Sequence, residues 1–156
     1  LGDVYKRQII DSMIIPIKID YGVRTLVHLA QSNKDEFIPT QDISSSQHIP
    51  APFLLRICAD LHKSKIIESK RGPNGGHKLI MDPKTVSVKD VINAVEYSLA
   101  PFDCVDLPES CILSHDCSQK DLWTEVEEIL LKHLSSVSIY DLSIKYNKKK
   151  SITIKF

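Results

Sequence analysis

Between residues 64 and 81 the apolar spacing of this chain drops to a period of two, in KIIESK and again in HKLIM, with RGPNGG between them. Two short alternating runs joined by a glycine- and proline-rich turn predict a β-hairpin. In the turn Gly72, Gly75 and Gly76 supply positive-φ freedom, Pro73 fixes one corner and Asn74 tolerates left-handed geometry. Everything around the hairpin carries helical spacing, so the fold must be mainly α with one small β element.

From position 20, DYGVRTLVHLAQS sets Val23, Leu26, Val27 and Ala30 on one helical face. Thr40 is placed to cap a short helix over QDISSSQ, with Ile43 as its apolar contact and Asp42 in the first turn. His48, Ile49 and Pro50 break it. Pro52 suits the first position of a third helix running to about residue 63. Its inward stripe is Leu54, Ile57, Cys58 and Leu61, while Phe53, Leu55, Arg56, Ala59 and Asp60 face outward or along the edges. Two helices across a tight break, followed at once by a hairpin, make a winged helix-turn-helix.

After the wing, SVKDVINAVE predicts a fourth helix capped by Ser87, with Val88, Val91, Ile92 and Val95 inward. A long helix is expected over 118–136. Its apolar residues, Leu122, Trp123, Val126, Ile129, Leu130, Leu134 and Val137, cover more than one narrow stripe, a surplus that suits packing against a second subunit. The expected organisation is a winged helix-turn-helix domain over 13–98, a cysteine loop over 99–119, a dimerisation helix and following segment over 120–146, and a lysine-rich tail over 147–156 that frays. Residues 1–12 show no pattern joining them to the rest and are read as a non-native or disordered extension, with Met13 as a start.

Net charge is zero over 156 residues, yet unevenly spread. Five basic residues (Lys63, Lys65, Lys70, Arg71, Lys78) face one acidic residue across 63–78, whereas 103–128 holds eight acidic residues and one lysine. A local basic patch on a neutral chain fits a polyanion, with Lys70 and Arg71 at the wing tip, Arg56 and Lys63 near phosphates, and Asn74 or His77 assisting. No apolar run approaches the roughly 20 residues that span a bilayer. A cytoplasmic protein is expected. No triad, phosphate-binding glycine loop or paired acids point to catalysis.

Three of the four cysteines, Cys104, Cys111 and Cys117, crowd the irregular stretch FDCVDLPESCILSHDCSQ. Thiolates so close either pair as disulfides or bind a soft metal or iron-sulfur cluster, and three is awkward for disulfides in a reducing compartment. Zinc or redox-active thiols remain the alternative. His115 is a further candidate ligand, while Cys58 sits on an inward stripe as a small hydrophobe.

The order of parts resembles the Rrf-two family of bacterial winged helix-turn-helix regulators, which includes IscR-like and NsrR-like iron-sulfur repressors. The resemblance runs over 13–146 through DYGVRTLVHLA, IPAPFLLRICADL, KRGPNGGHKL, SVKDVINAVE, the cysteine loop and DLW. It implies a homodimer on a palindromic operator in double-stranded DNA, with the long helices crossing and Cys104, Cys111 and Cys117 holding a 2Fe-2S or 4Fe-4S cluster. Pro52, Phe53, Leu55, Arg56, Lys63, Lys70, Arg71, Gly72 and Asn74 then form the DNA-facing set. In NsrR-like members an aspartate just before the first-helix Tyr-Gly is donated by the other subunit as fourth ligand, and Asp20 holds that place. Taken alone, Asp20 also reads as a helix N-cap.

IscR-like members carry a histidine three residues after the last cysteine, where this chain has Lys120. Six residues separate Cys104 from Cys111, one more than in those relatives. Leu55 stands where IscR-like members have a polar base-reading residue, so operator preference does not transfer; an apolar side chain there can meet a thymine methyl. The expected function is a cluster-sensing repressor whose DNA affinity responds to nitric oxide, oxygen or iron. A cluster-free thiol- or zinc-dependent regulator of the same fold, or a small iron-sulfur electron-transfer protein, are the rivals.

Overall fold

The computed structural model describes residues 15–95 and 97–153. The extension over 1–12, Met13, Ile14, Glu96 and residues 154–156 lie outside the described residues. Helix α1 spans Ile17–Gln31 and starts earlier than its apolar pattern suggested, because Pro16, extended at φ −60° and ψ 141°, serves as its N-cap. Asp20 is therefore not a cap but an acid of the first turn. The buried stripe is Ile19, Gly22, Leu26 and Leu29, with Val23, Val27 and Ala30 on its margins.

Helix α2 covers Thr40–Gln47 and α3 covers Ala51–Lys63. Pro39 caps α2, correcting the expectation for Thr40, which lies inside the first turn and turns its hydroxyl to the wing. His48 ends α2 in the left-handed region at φ 52°, and the Ser44 hydroxyl donates to the Ile49 carbonyl at 2.7 Å while the Ile49 N–H donates to the Ser44 carbonyl at 3.1 Å, so Ser44 holds the break. Pro50 caps α3 and Pro52 falls at its second position, one residue later than expected. Leu54, Ile57, Cys58 and Leu61 are buried as predicted.

Strands β1 (Ile67–Lys70) and β2 (Gly76–Leu79) pair antiparallel, Glu68 opposite Lys78 and Ser69 opposite His77. Positive φ occurs at Gly72 (108°) and Gly76 (149°), whereas Gly75 and Asn74 do not need it. Gly76 is required for a second reason. A Cβ there would lie 2.2 Å from the Ile38 carbonyl oxygen, because Ile38 pairs with His77 through two backbone bonds of 2.9 Å and adds a third edge to the wing.

Helix α4 (Val88–Ala94) opens with a capping box, Ser87 and Asp90 each bonding the other's backbone N–H. It crosses α1 closely: a Cβ on Gly22 would meet Val91 Cγ1 at 2.8 Å. The cysteine segment folds as a short helix α5 (Asp103–Asp106) and a 3-10 turn (Pro108–Ser110), after which α6 runs over Lys120–Ser135.

The segment beyond α6 is a further helix, α7 (Ile139–Thr153), so the lysine-rich tail continues a helix through residue 153 instead of fraying after 146. Ser138 and Asp141 repeat the capping box, with bonds of 3.2 and 3.1 Å. The two boxes lie side by side, since Val88 donates to the Val137 carbonyl and Ile139 to that of Val86. Two apolar clusters result. One joins α1, α2, α3, the wing and Ile139; the other joins Ile19, Val88, Ile92, Val95 and Leu99 to Leu130, Leu131, Leu134 and Val137.

Candidate nucleic-acid interface and cysteine loop

On α3 the DNA-facing candidates Pro52, Phe53, Leu55, Arg56 and Lys63 are all exposed, as is Ala59, while Asp60 is half-buried. Lys70, Arg71, Gly72 and Asn74 are exposed at the wing tip. An open groove separates the two, with Leu55, Ala59 and His62 on the helix wall and Ser69 to Pro73, Gly75 and Gly76 on the wing wall. The basic wing and an exposed helix face thus border one concave surface, the arrangement a duplex requires for phosphate and base-edge contacts together.

Two features beneath the wing escaped the sequence. The Phe37 ring lies under the ammonium groups of Lys78 at 4.7 Å and Lys70 at 5.8 Å, a cation-π platform that orients both lysines. His77 is buried, its Nδ1 2.8 Å from the Ser69 hydroxyl and its Nε2 3.0 Å from that of Thr40. Burial, aided by the nearby His62, lowers its pKa and keeps the ring neutral.

Cys104, Cys111 and Cys117 are free thiols, each partly exposed, on α5, just after the 3-10 turn and just before α6. Cys58 differs in kind: burial pushes its thiol up to about 12, so it is inert, as its place on the inward stripe implied. Trp123 closes the loop at its base, edge-on to Phe102 with centroids 5.2 Å apart. Thiols of this exposure suit soft iron or zinc. Yet among the described residues no three His, Cys, Asp or Glu side chains are gathered as a metal-binding group. The donors fit such a group in kind, and the described residues of one chain do not assemble them. His115 is exposed on the same loop.

Asp20 stands apart from the loop on α1. Its Oδ2 is shut off from solvent and forms an ion pair with Arg24, while the side chain as a whole stays 39% exposed. Arg24 also donates to the Gln47 carbonyl at 3.3 Å, the last residue of α2, and lies 5.7 Å over the Tyr21 ring, which in turn meets Phe53 edge-on at 6.5 Å. Around the loop an apolar surface is open: Ile112 is 97% exposed, Leu113 67% and Ile129 61%, and no residue of α6 is fully buried.

A winged helix-turn-helix with these appended helices defines a DNA-binding regulator by its architecture. The chain belongs to the Rrf2 family, whose model, described as an iron-dependent transcriptional regulator, matches residues 15–145. It is 30% identical over 122 residues to the HTH-type transcriptional regulator IscR of Yersinia pseudotuberculosis, covering 78% of this chain and 74% of that one. The solved T. potens IscR matches with a TM-score of 0.67 at 26% identity, over 85% of this chain and 88% of that one. The B. subtilis global cysteine regulator CymR has the same fold, with a TM-score of 0.67 at 20% identity over 85% and 97% of the two chains. The protein is therefore a transcriptional regulator, not an enzyme. No described helix is long and apolar enough to cross a membrane.

Proposed function

We propose that this regulator is a cytoplasmic, cluster-sensing repressor that binds a palindromic operator as a homodimer through α3 and the wing. Cys104, Cys111 and Cys117 would hold an iron-sulfur cluster, with Asp20 of the partner subunit as the fourth donor. Such a cluster supplies a group whose damage by nitric oxide or oxygen, or loss when iron is scarce, removes a tie between protein ligands. The exposed apolar residues Leu122 and Ile129, about two helical turns apart on α6, supply a surface for the second copy.

One observation carries the reading. The Asp20 carboxylate offers one oxygen to Arg24 and leaves the rest of the group open, and Arg24 reaches from there to the end of α2. A ligand drawing on Asp20 weakens its hold on Arg24, and the change arrives at the helix on which α3 packs. Coupling between loop and DNA thus needs no route through the apolar core.

Anaerobic purification with iron and sulfide counting tests the ligand set. Wild type is expected to be coloured and to contain both elements, and Asp20→Ala to lose iron at least about ten-fold faster under chelator. An unaltered rate in Asp20→Ala transfers the fourth position to His115 or an outside group. The free, partly exposed thiols favour one second reading, a cluster-free thiol- or zinc-dependent regulator, which a colourless anaerobic protein without sulfide would establish.

A further inference from the structure

His77 bonds to both the wing and the helix-turn-helix, one at each ring nitrogen. Ser69, its partner across the hairpin, takes Nδ1 at 2.8 Å; Thr40, in the first turn of α2, takes Nε2 at 3.0 Å. Hydroxyls both donate and accept, so either neutral tautomer satisfies the pair. The backbone of His77 is fixed as well, exchanging both bonds with Ile38 two residues before Thr40. The neighbours of Ser69 in sequence are the residues that matter for phosphate contact, since Lys70 and Arg71 follow it directly. A two-stranded ribbon alone is marginally stable, and the His77 ring adds a side-chain link to α2 beside the Ile38 bridge and the contact of His62 Nδ1 with the Ile67 carbonyl at 3.2 Å.

We propose that His77 is a positioning residue for DNA binding, a strut between Thr40 and Ser69 that sets the reach of Lys70 and Arg71 relative to α3. This rests on the wing contacting the duplex. The ring touches no DNA itself. It removes the swing that phosphate contacts would otherwise have to suppress on binding, so its effect is exerted wholly through the wing tip. The bond that ties the wing to α2 is the one at Nε2, which distinguishes histidine here from an apolar ring of similar size.

The imidazole can be divided. Asparagine retains a polar atom near the Nδ1 position and so the bond inside the hairpin, whereas glutamine retains one near Nε2 and so the bond to Thr40. Binding is measured by fluorescence anisotropy across a salt series, using a duplex selected by the wild-type protein from a random pool. His77→Phe is expected to bind about 10-fold more weakly, with a log-log salt slope shallower by about 1 to 2, the loss of one or two phosphate contacts. His77→Gln should recover most of the affinity and His77→Asn little. Added to Lys70→Ala with Arg71→Ala, His77→Phe should cost nothing more. Thr40→Val, which leaves the wing sequence intact, should reproduce the His77→Phe slope and serves if the latter fails to fold.

Wild-type affinity and slope in both His77→Phe and Thr40→Val would overturn the inference, as would full additivity with the wing pair. Recovery by asparagine in place of glutamine would also overturn it, because only the hairpin would then matter. If wild type itself binds no duplex in a salt-dependent way, the failure lies instead with the DNA-binding role of the wing.

Discussion

Replacing Lys70 and Arg71 together by alanine is expected to weaken duplex binding by about 10- to 100-fold at low salt and to flatten its salt dependence. Each phosphate neutralised contributes about 0.9 to the slope of log affinity against log salt, so two lost contacts should lower it by about 1.8. The protein should remain folded, because both side chains are exposed at the wing tip and outside either core. Lys70 lies over Phe37 at 5.8 Å, a contact worth about 0.5–1 kcal/mol at an exposed site. Anisotropy titrations over several salt concentrations, with thermal unfolding alongside, check the prediction. A uniform loss of affinity with an unchanged slope would remove the wing tip from the phosphate contacts.

A second large effect is expected at the loop. Serine at Cys104, Cys111 or Cys117 should each abolish iron and sulfide in anaerobically purified protein, since a neutral hydroxyl replaces a thiolate ligand. The melting temperature of the metal-free variant should stay within a few degrees of metal-free wild type, because the three side chains belong to neither apolar cluster. Cys58→Ser supplies the opposite signature. It leaves iron untouched and destabilises by about 1–3 kcal/mol, as a hydroxyl replaces a side chain only 1% exposed in the core. Iron retained at wild-type level in all three loop variants would exclude these residues as ligands.

The DNA-facing half was legible because its signals are local. The stripe of α3, the period-two runs of the wing and the Ser87 cap each follow from residues a few positions apart, and each stands where it was expected. Misplacements arose where two local signals competed. At α1 the acid of Asp20 outweighed Pro16, although extended proline geometry starts the helix; at α2 Thr40 lost the cap to Pro39 because its hydroxyl is drawn to His77. The S-x-x-D pattern of Ser138 and Asp141 announces α7, but the lysine run after it reads as a solvated tail.

His77 was the least legible. Its role depends on residues 37 and 8 positions away, and no spacing within the wing indicates that Thr40 will meet it. The loop presents the converse case: three thiols in a short stretch are conspicuous in sequence, while the chain by itself leaves them ungathered among the described residues. An apolar α6 with no fully buried residue is consistent with a site completed by a second copy.

The most direct test of the account compares one protein in two states. Wild type purified anaerobically, and the same preparation after chelation of its iron, are titrated against the duplex selected by the anaerobic protein, at a single fixed salt concentration. The account predicts at least about a ten-fold weaker affinity after iron removal, a coupling of about 1.4 kcal/mol or more between loop and DNA surface. Equal affinity in the two states would contradict it.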